Sequence, residues 1–133
     1  FLLNRSSDLR LTFYHPTSTF QLPAEAQAFR VGSKGPDYVL YRLFESSIIP
    51  ADYPVVIMVE SSSTNDSIEI TLTKTSPKQS KSGILRGTST PTDASSLVTG
   101  NEKVYVLSRD ADGNVGFFPF TGTIPANKAY YVR

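Results

Sequence analysis

Apolar and polar residues along this chain alternate mostly with a period of two, the spacing that puts successive side chains on opposite faces of a strand. In residues 9–15, Leu9, Leu11 and Phe13 fall on one side, and Arg10, Thr12 and Tyr14 on the other. Ile68, Ile70 and Leu72 alternate with Glu69, Thr71 and Thr73, which predicts a strand buried on one face. Residues 55–59, Val-Val-Ile-Met-Val, are apolar without a break and predict a central strand covered on both faces or one bent across a barrel seam. Residues 19–22 predict a short extended piece, Glu25-Ala-Gln-Ala a single helical turn, and residues 28–31 a strand that stops at Gly32. The Gly- and Pro-bearing stretch 32–37 predicts a hairpin loop and residues 38–44 the returning strand. Two further strands, 104–107 and 115–120, flank Asp110-Ala-Asp-Gly-Asn114, where Asp-Gly is a strong hairpin signal. Residues 75–100 are dense in Ser, Thr, Pro and Gly and predict a long loop holding a short edge strand near Ile84-Leu85. The chain contains 9 prolines, spaced so that few windows could hold three helical turns.

One pattern occurs twice. Ile49-Pro-Ala-Asp52 leads into the apolar run 55–59, and Ile124-Pro-Ala-Asn127 leads into Ala129-Tyr-Tyr-Val132. In both, proline presets φ for a turn and a short polar side chain can hydrogen-bond its own backbone. An upstream echo pairs Tyr38-Val-Leu-Tyr-Arg42 with Tyr105-Val-Leu-Ser-Arg109, so the chain reads as one unit used twice. The expected architecture is all-β, an antiparallel β-sandwich or partly open barrel of about eight to ten short strands in a single domain, 1–133.

Composition narrows the functional classes. The 133 residues are one domain's worth, and 13 Lys and Arg against 12 Asp and Glu provide no global field to recruit nucleic acid or an anionic membrane. The absence of cysteine removes disulfides and thiolate metal sites. No apolar run approaches the roughly 20 residues of a membrane helix. A start at Phe1 and an end on strand-like Tyr-Tyr-Val-Arg133 lead us to expect a segment of a larger exported protein.

Candidate chemistry is sparse. Asp110, Asp112 and Asn114 hold the first, third and fifth places of an oxygen-rich loop, but Gly113 stands at the fourth place instead of the sixth, so a plain hairpin turn competes with a calcium site. His15 is the single histidine and sits in no nucleophile motif. Carboxylates are scattered, so no catalytic residue and no cofactor is assigned. Lys74, Lys78, Lys81 and Arg86 lie in an acid-free stretch, a candidate contact for an anionic ligand, although no aromatic residues interleave to stack bases. Tyr130 and Tyr131 are adjacent on one expected strand; one should face outward, and Tyr131 is the candidate for a sugar or protein contact.

Tyr105-Val-Leu-Ser108, Gly116-Phe-Phe118 and Gly122-Thr-Ile-Pro-Ala-Asn-Lys-Ala-Tyr130 together resemble the closing motif of β-rich domains in secreted and cell-surface proteins of Bacteroidetes. Ala28-Phe-Arg-Val31, Ile49-Pro-Ala51 and Leu85-Arg-Gly-Thr88 fit the same kind of module. Two places depart from it: Asp-Tyr-Pro follows the first turn where such modules usually have a more apolar Pro-Val, and Tyr130-Tyr131 stands where the family tends to finish in Tyr-Leu. The resemblance implies a non-enzymatic accessory module, secreted or displayed at the cell surface, whose partners are the neighbouring domains of its parent chain. The alternative is an adhesin-like module that binds host protein or polysaccharide. The same bacteria glycosylate exported proteins at an Asp-Ser/Thr-aliphatic motif, which Asp66-Ser67-Ile68 matches, making Ser67 a candidate glycan site.

Overall fold

In a computed structural model of the chain, which describes residues 2–4, 10–34, 37–43, 47–60, 67–74 and 83–133, the period-two stretches become antiparallel strands. They are β1 (Leu2–Asn4), β2 (Arg10–Phe13), β3 (Thr19–Gln21), β4 (Ala26–Lys34), β5 (Asp37–Arg42), β6 (Ile48–Ile49), β7 (Val55–Val59), β8 (Ser67–Glu69), β9 (Thr71–Thr73), β10 (Arg86–Gly87), β11 (Thr92–Asp93), β12 (Val104–Arg109), β13 (Val115–Phe120), β14 (Thr123–Ile124) and β15 (Ala129–Val132). Among the described residues the helical content is a single 3₁₀ turn, Ala94–Leu97, capped by the Asp93 carboxylate, which accepts from the Ser95 amide. None of their helices is long and apolar enough to cross a membrane. Among the described residues the fold is all-β with no closed barrel, consistent with the expected β-sandwich and built from more and shorter strands than expected.

Two four-stranded sheets dominate, in the orders β2-β7-β4-β5 and β10-β15-β12-β13. Each position in one has a counterpart in the other. β7 and β15, which follow the two Ile-Pro-Ala turns, each lie between an N-terminal edge strand (β2, β10) and the first strand of a hairpin (β4-β5, β12-β13). The strand before each turn also pairs equivalently, β6 with β3 and β14 with β11. Residues 10–59 and 86–132 are therefore the same six-strand unit used twice. β1, β8 and β9 are additions, with β8 pairing β1 and β9 extending β3.

The correspondence extends to single bonds. The Asp52 amide donates to His15 O and the Asn127 amide to Thr88 O, both at 2.8 Å; Leu22 N donates to Ser47 O at 2.7 Å and Ala94 N to Gly122 O at 2.8 Å. Asp52 (φ 54°) and Asn127 (φ 63°) are the non-glycine residues with positive φ among those described. Asp and Asn tolerate this left-handed conformation best, which explains why one or the other ends each Ile-Pro-Ala turn.

Register corrects four expectations. The upstream echo joins non-equivalent strands: residues 38–42 form β5, whereas 105–109 lie in β12, whose counterpart is β4. In the true alignment Phe29 and Tyr105 occupy the same place, opposite Val56 and Tyr131 respectively. Gly32 does not end its strand, because its ladder with Val39 carries β4 on to Lys34. Residues 25–28 form no helical turn: Ala26 N donates to Pro23 O, and the ladder with β7 begins at Ala26. The run 68–72 breaks at Ile70 into β8 and β9, which pair with different strands; Ile68 and Ile70 are buried, but Leu72 on edge strand β9 is 72% exposed.

Three apolar layers hold the units together. The middle one is shared: Val31, Leu40 and Val56 from the first unit meet their counterparts Leu107, Phe117 and Tyr131 from the second. The outer layers are also matched, with Ala28, Ile49, Val55 and Ile57 in one and Val104, Ile124, Tyr130 and Val132 in the other. Equivalent faces packing on each other is the pattern of a two-fold-related pair joined in one chain. Because each sheet is covered on both sides, β7 and β15 bury consecutive residues.

Candidate functional site

The seam between the units has two related sides. On one, Tyr14 N donates to Asn127 O (3.2 Å), Asn127 Nδ2 to Tyr14 O (3.0 Å), Ala129 N to Thr12 Oγ1 (3.2 Å) and Lys128 Nζ to Thr12 O (3.5 Å). That side is closed. Burial pulls the Lys128 ammonium below the ordinary lysine range.

On the other side Pro54 stands where Ala129 is, Tyr53 where Lys128 is, and Leu85 where Thr12 is. Proline has no N–H to give and leucine no hydroxyl to receive it, so the bond that closes the first side has no counterpart between these residues. A cleft of about 320 Å³ lies there, lined by Tyr14, Arg30, Val31, Asp52, Tyr53, Pro54, Gly83, Leu85, Arg86 and Gly87. Both units contribute to it. Gly87, the counterpart of Tyr14, lies against the Tyr14 ring so closely that a Cβ there would sit 2.0 Å from Cγ. The two equivalent residues thus meet at the seam, and only one can carry a ring.

Its polar groups are arranged around Tyr14. The Tyr14 hydroxyl donates to Asp52 Oδ1 at 2.6 Å, and this bond, with lesser contributions from burial and from the carboxylate's charge, pushes the phenol up to about 12. Burial raises Tyr53 as well, opposed by the nearby Arg30 guanidinium. Arg30 is half-buried on β4 and Arg86 exposed on β10, close enough to Glu102 to help lower that carboxylate, after hydrogen bonds from Thr99.

A phenol whose folded pKa lies above its unfolded value stabilises the fold below pH 10, and the contribution is lost as pH rises toward 12. Followed by its ultraviolet absorbance, Tyr14 is expected to ionise near 12, and Asp52→Asn should return it toward the ordinary tyrosine range. An unchanged titration in that variant would contradict the bond.

The sequence-derived candidates are not brought together. Asp110 closes the β12-β13 hairpin: Oδ1 accepts from the amides of Asp112 and Asn114, both at 2.9 Å, and Oδ2 from Asn114 Nδ2 at 3.3 Å. The Asn114 amide is the main cause that holds its carboxyl below the usual range. The three residues form the hairpin turn, and no group of three His, Asp or Glu able to hold a metal occurs among the described residues. His15 Nδ1 accepts from the amides of Ser18 (3.0 Å) and Thr17 (3.3 Å), fixing the turn after β2.

Tyr131 must be withdrawn as an exposed contact residue. Tyr130 and Tyr131 are each 6% exposed, because β15 has an apolar layer on both faces. Tyr131 stacks on Tyr105 with ring centroids 4.8 Å apart and packs against Phe117. Ser67 opens β8 half-buried, opposite Asn4, while Asp66 of its motif lies outside the described residues. Lys78 and Lys81 also lie outside them; Lys74 is exposed after β9, and of that acid-free stretch Arg86 reaches the cleft. Tyr14, Arg30, Asp52 and Tyr53 were missed because they come from separate stretches. The available signal was the Asp at the end of the first Ile-Pro-Ala turn. No protein-family model, curated protein or solved structure matches this chain.

Proposed function

We propose that the chain is a non-enzymatic accessory module of a larger secreted or cell-surface protein, with the neighbouring domains of that protein as its partners. The observation that carries this reading is how its reactive side chains are used. His15, Asp93, Glu102 and Asp110 each hold a local turn, and Asp52 is bonded by Tyr14, so none of them faces another as an acid–base pair in the bonds described. Two units sharing one core make a stiff spacer. The resemblance of residues 122–130 to closing motifs of Bacteroidetes surface domains supports the exported setting.

The test is incubation of the purified chain with chromogenic glycosides, esters and peptides. No turnover above the blank is expected; turnover abolished by His15→Ala or Asp52→Asn would contradict the proposal. A second reading, a binding module for polysaccharide or protein, is favoured by one observation, the cleft of about 320 Å³ at the seam, lined by residues of both units.

A further inference from the structure

We infer that the seam is keyed to join unlike units, so that the shared core closes between the first half and the second but not between two copies of the same half. Faces related by a two-fold axis invite the like pairing, in which each half would dock on its own kind in a second copy of the chain. The bonds at the seam select against it. Ala129 N to Thr12 Oγ1 (3.2 Å) and Asn127 Nδ2 to Tyr14 O (3.0 Å) both take a donor from the second unit and an acceptor from the first. With first unit against first, Pro54 and Asp52 would stand in the donors' places, and neither a proline nitrogen nor a carboxylate has a proton to give. With second against second, the buried Ala129 N–H would face Leu85, whose side chain has no oxygen to receive it.

Size follows the same rule. At the rim the first unit carries the Tyr14 ring and the second Gly87, where a Cβ would already lie 2.0 Å from the ring. Two first units would bring two rings to that place. In the shared layer the order reverses, with Val31, Leu40 and Val56 from the first unit against their larger counterparts Leu107, Phe117 and Tyr131 from the second. Two first units would leave the layer underfilled and two second units would overfill it, and a close-packed interior tolerates neither well. A chain whose halves part is therefore completed by its own other half, or by reciprocal exchange with one other copy, and not by an open-ended string of like contacts.

Full-length variants test this by denaturant unfolding and size-exclusion chromatography. Gly87→Tyr, which puts a ring on both halves, is expected to abolish the cooperative transition. Moving the ring, Tyr14→Gly with Gly87→Tyr, should recover a monomer that unfolds cooperatively, because one ring again faces one glycine. Val56→Tyr should lower the denaturant midpoint, and adding Tyr131→Val should restore about half of the loss or more. Either exchange tolerated no better than its single change would overturn the inference. The chain has no cysteine, so Tyr14→Cys carries one thiol at the place where two first units would meet. Refolded at millimolar concentration with oxidised glutathione, this variant is expected to stay monomeric. A disulfide-linked dimer as its main product would overturn the inference whether or not the other variants fold.

Discussion

A chain ending at Pro125 is expected to lose its cooperative unfolding transition and to associate. The eight residues removed include all of β15, the strand that joins β10 to β12. Ala129, Tyr130 and Tyr131 are buried, and the two tyrosines belong to different apolar layers, so both the shared core and the outer layer of the second unit are opened. Each buried tyrosine covers about 150–250 Å², which at about 25 cal/mol per Å² amounts to several kcal/mol for the pair. A domain commonly has only about 5–15 kcal/mol to lose. The seam bonds of Asn127, Lys128 and Ala129 to Tyr14 and Thr12 go as well, and β10 and β12 are left with unpaired edges that invite association. Thermal unfolding and size-exclusion chromatography check this. A monomer with an unchanged melting temperature would mean that the tail is an appendage.

The second large effect is expected from one methyl group. Gly87 adopts no positive φ, so alanine suits its backbone, yet the added Cβ would lie 2.0–2.4 Å from Cγ, Cδ1 and Cδ2 of Tyr14. Those atoms are the base and flanks of a ring held at its far end by Asp52 and through its backbone by Asn127, so it cannot swing aside cheaply. Gly87→Ala should cost about 3 kcal/mol, at the upper end for overpacking. In a Tyr14→Ala background the same change should cost nearly nothing or stabilise slightly, since alanine loses less entropy than glycine in an extended strand. Denaturant unfolding of the four proteins measures the coupling. Equal costs in both backgrounds would show that the two residues do not meet.

The strands and their central member were legible because burial writes itself into local pattern: residues 55–59 read as covered on both faces and are, as the second strand of a four-stranded sheet. The duplication was legible at its turns, where a rare backbone conformation restricts the residue to Asp52 or Asn127. It was misread upstream, since β-rich runs such as 38–42 and 105–109 share composition without sharing a place in the ladder. Tyr131 was misjudged for a related reason: period two says that neighbours face opposite ways, but not whether both sides are covered. The cleft could not be read at all. It depends on a difference between two copies, Pro54 for Ala129 and Leu85 for Thr12, which has meaning only once the alignment is known.

The central claim, that one unit is used twice with its equivalent faces packed together, is tested most directly by through-space proton contacts in solution. Contacts are expected between the Tyr14 ring and the Gly87 α-protons and between Val56 and Tyr131, together with matched cross-strand contacts, Phe20 to Ile49 and Thr92 to Ile124. A spectrum with the contacts inside each half but none between Tyr14 and Gly87 or between Val56 and Tyr131 would contradict it.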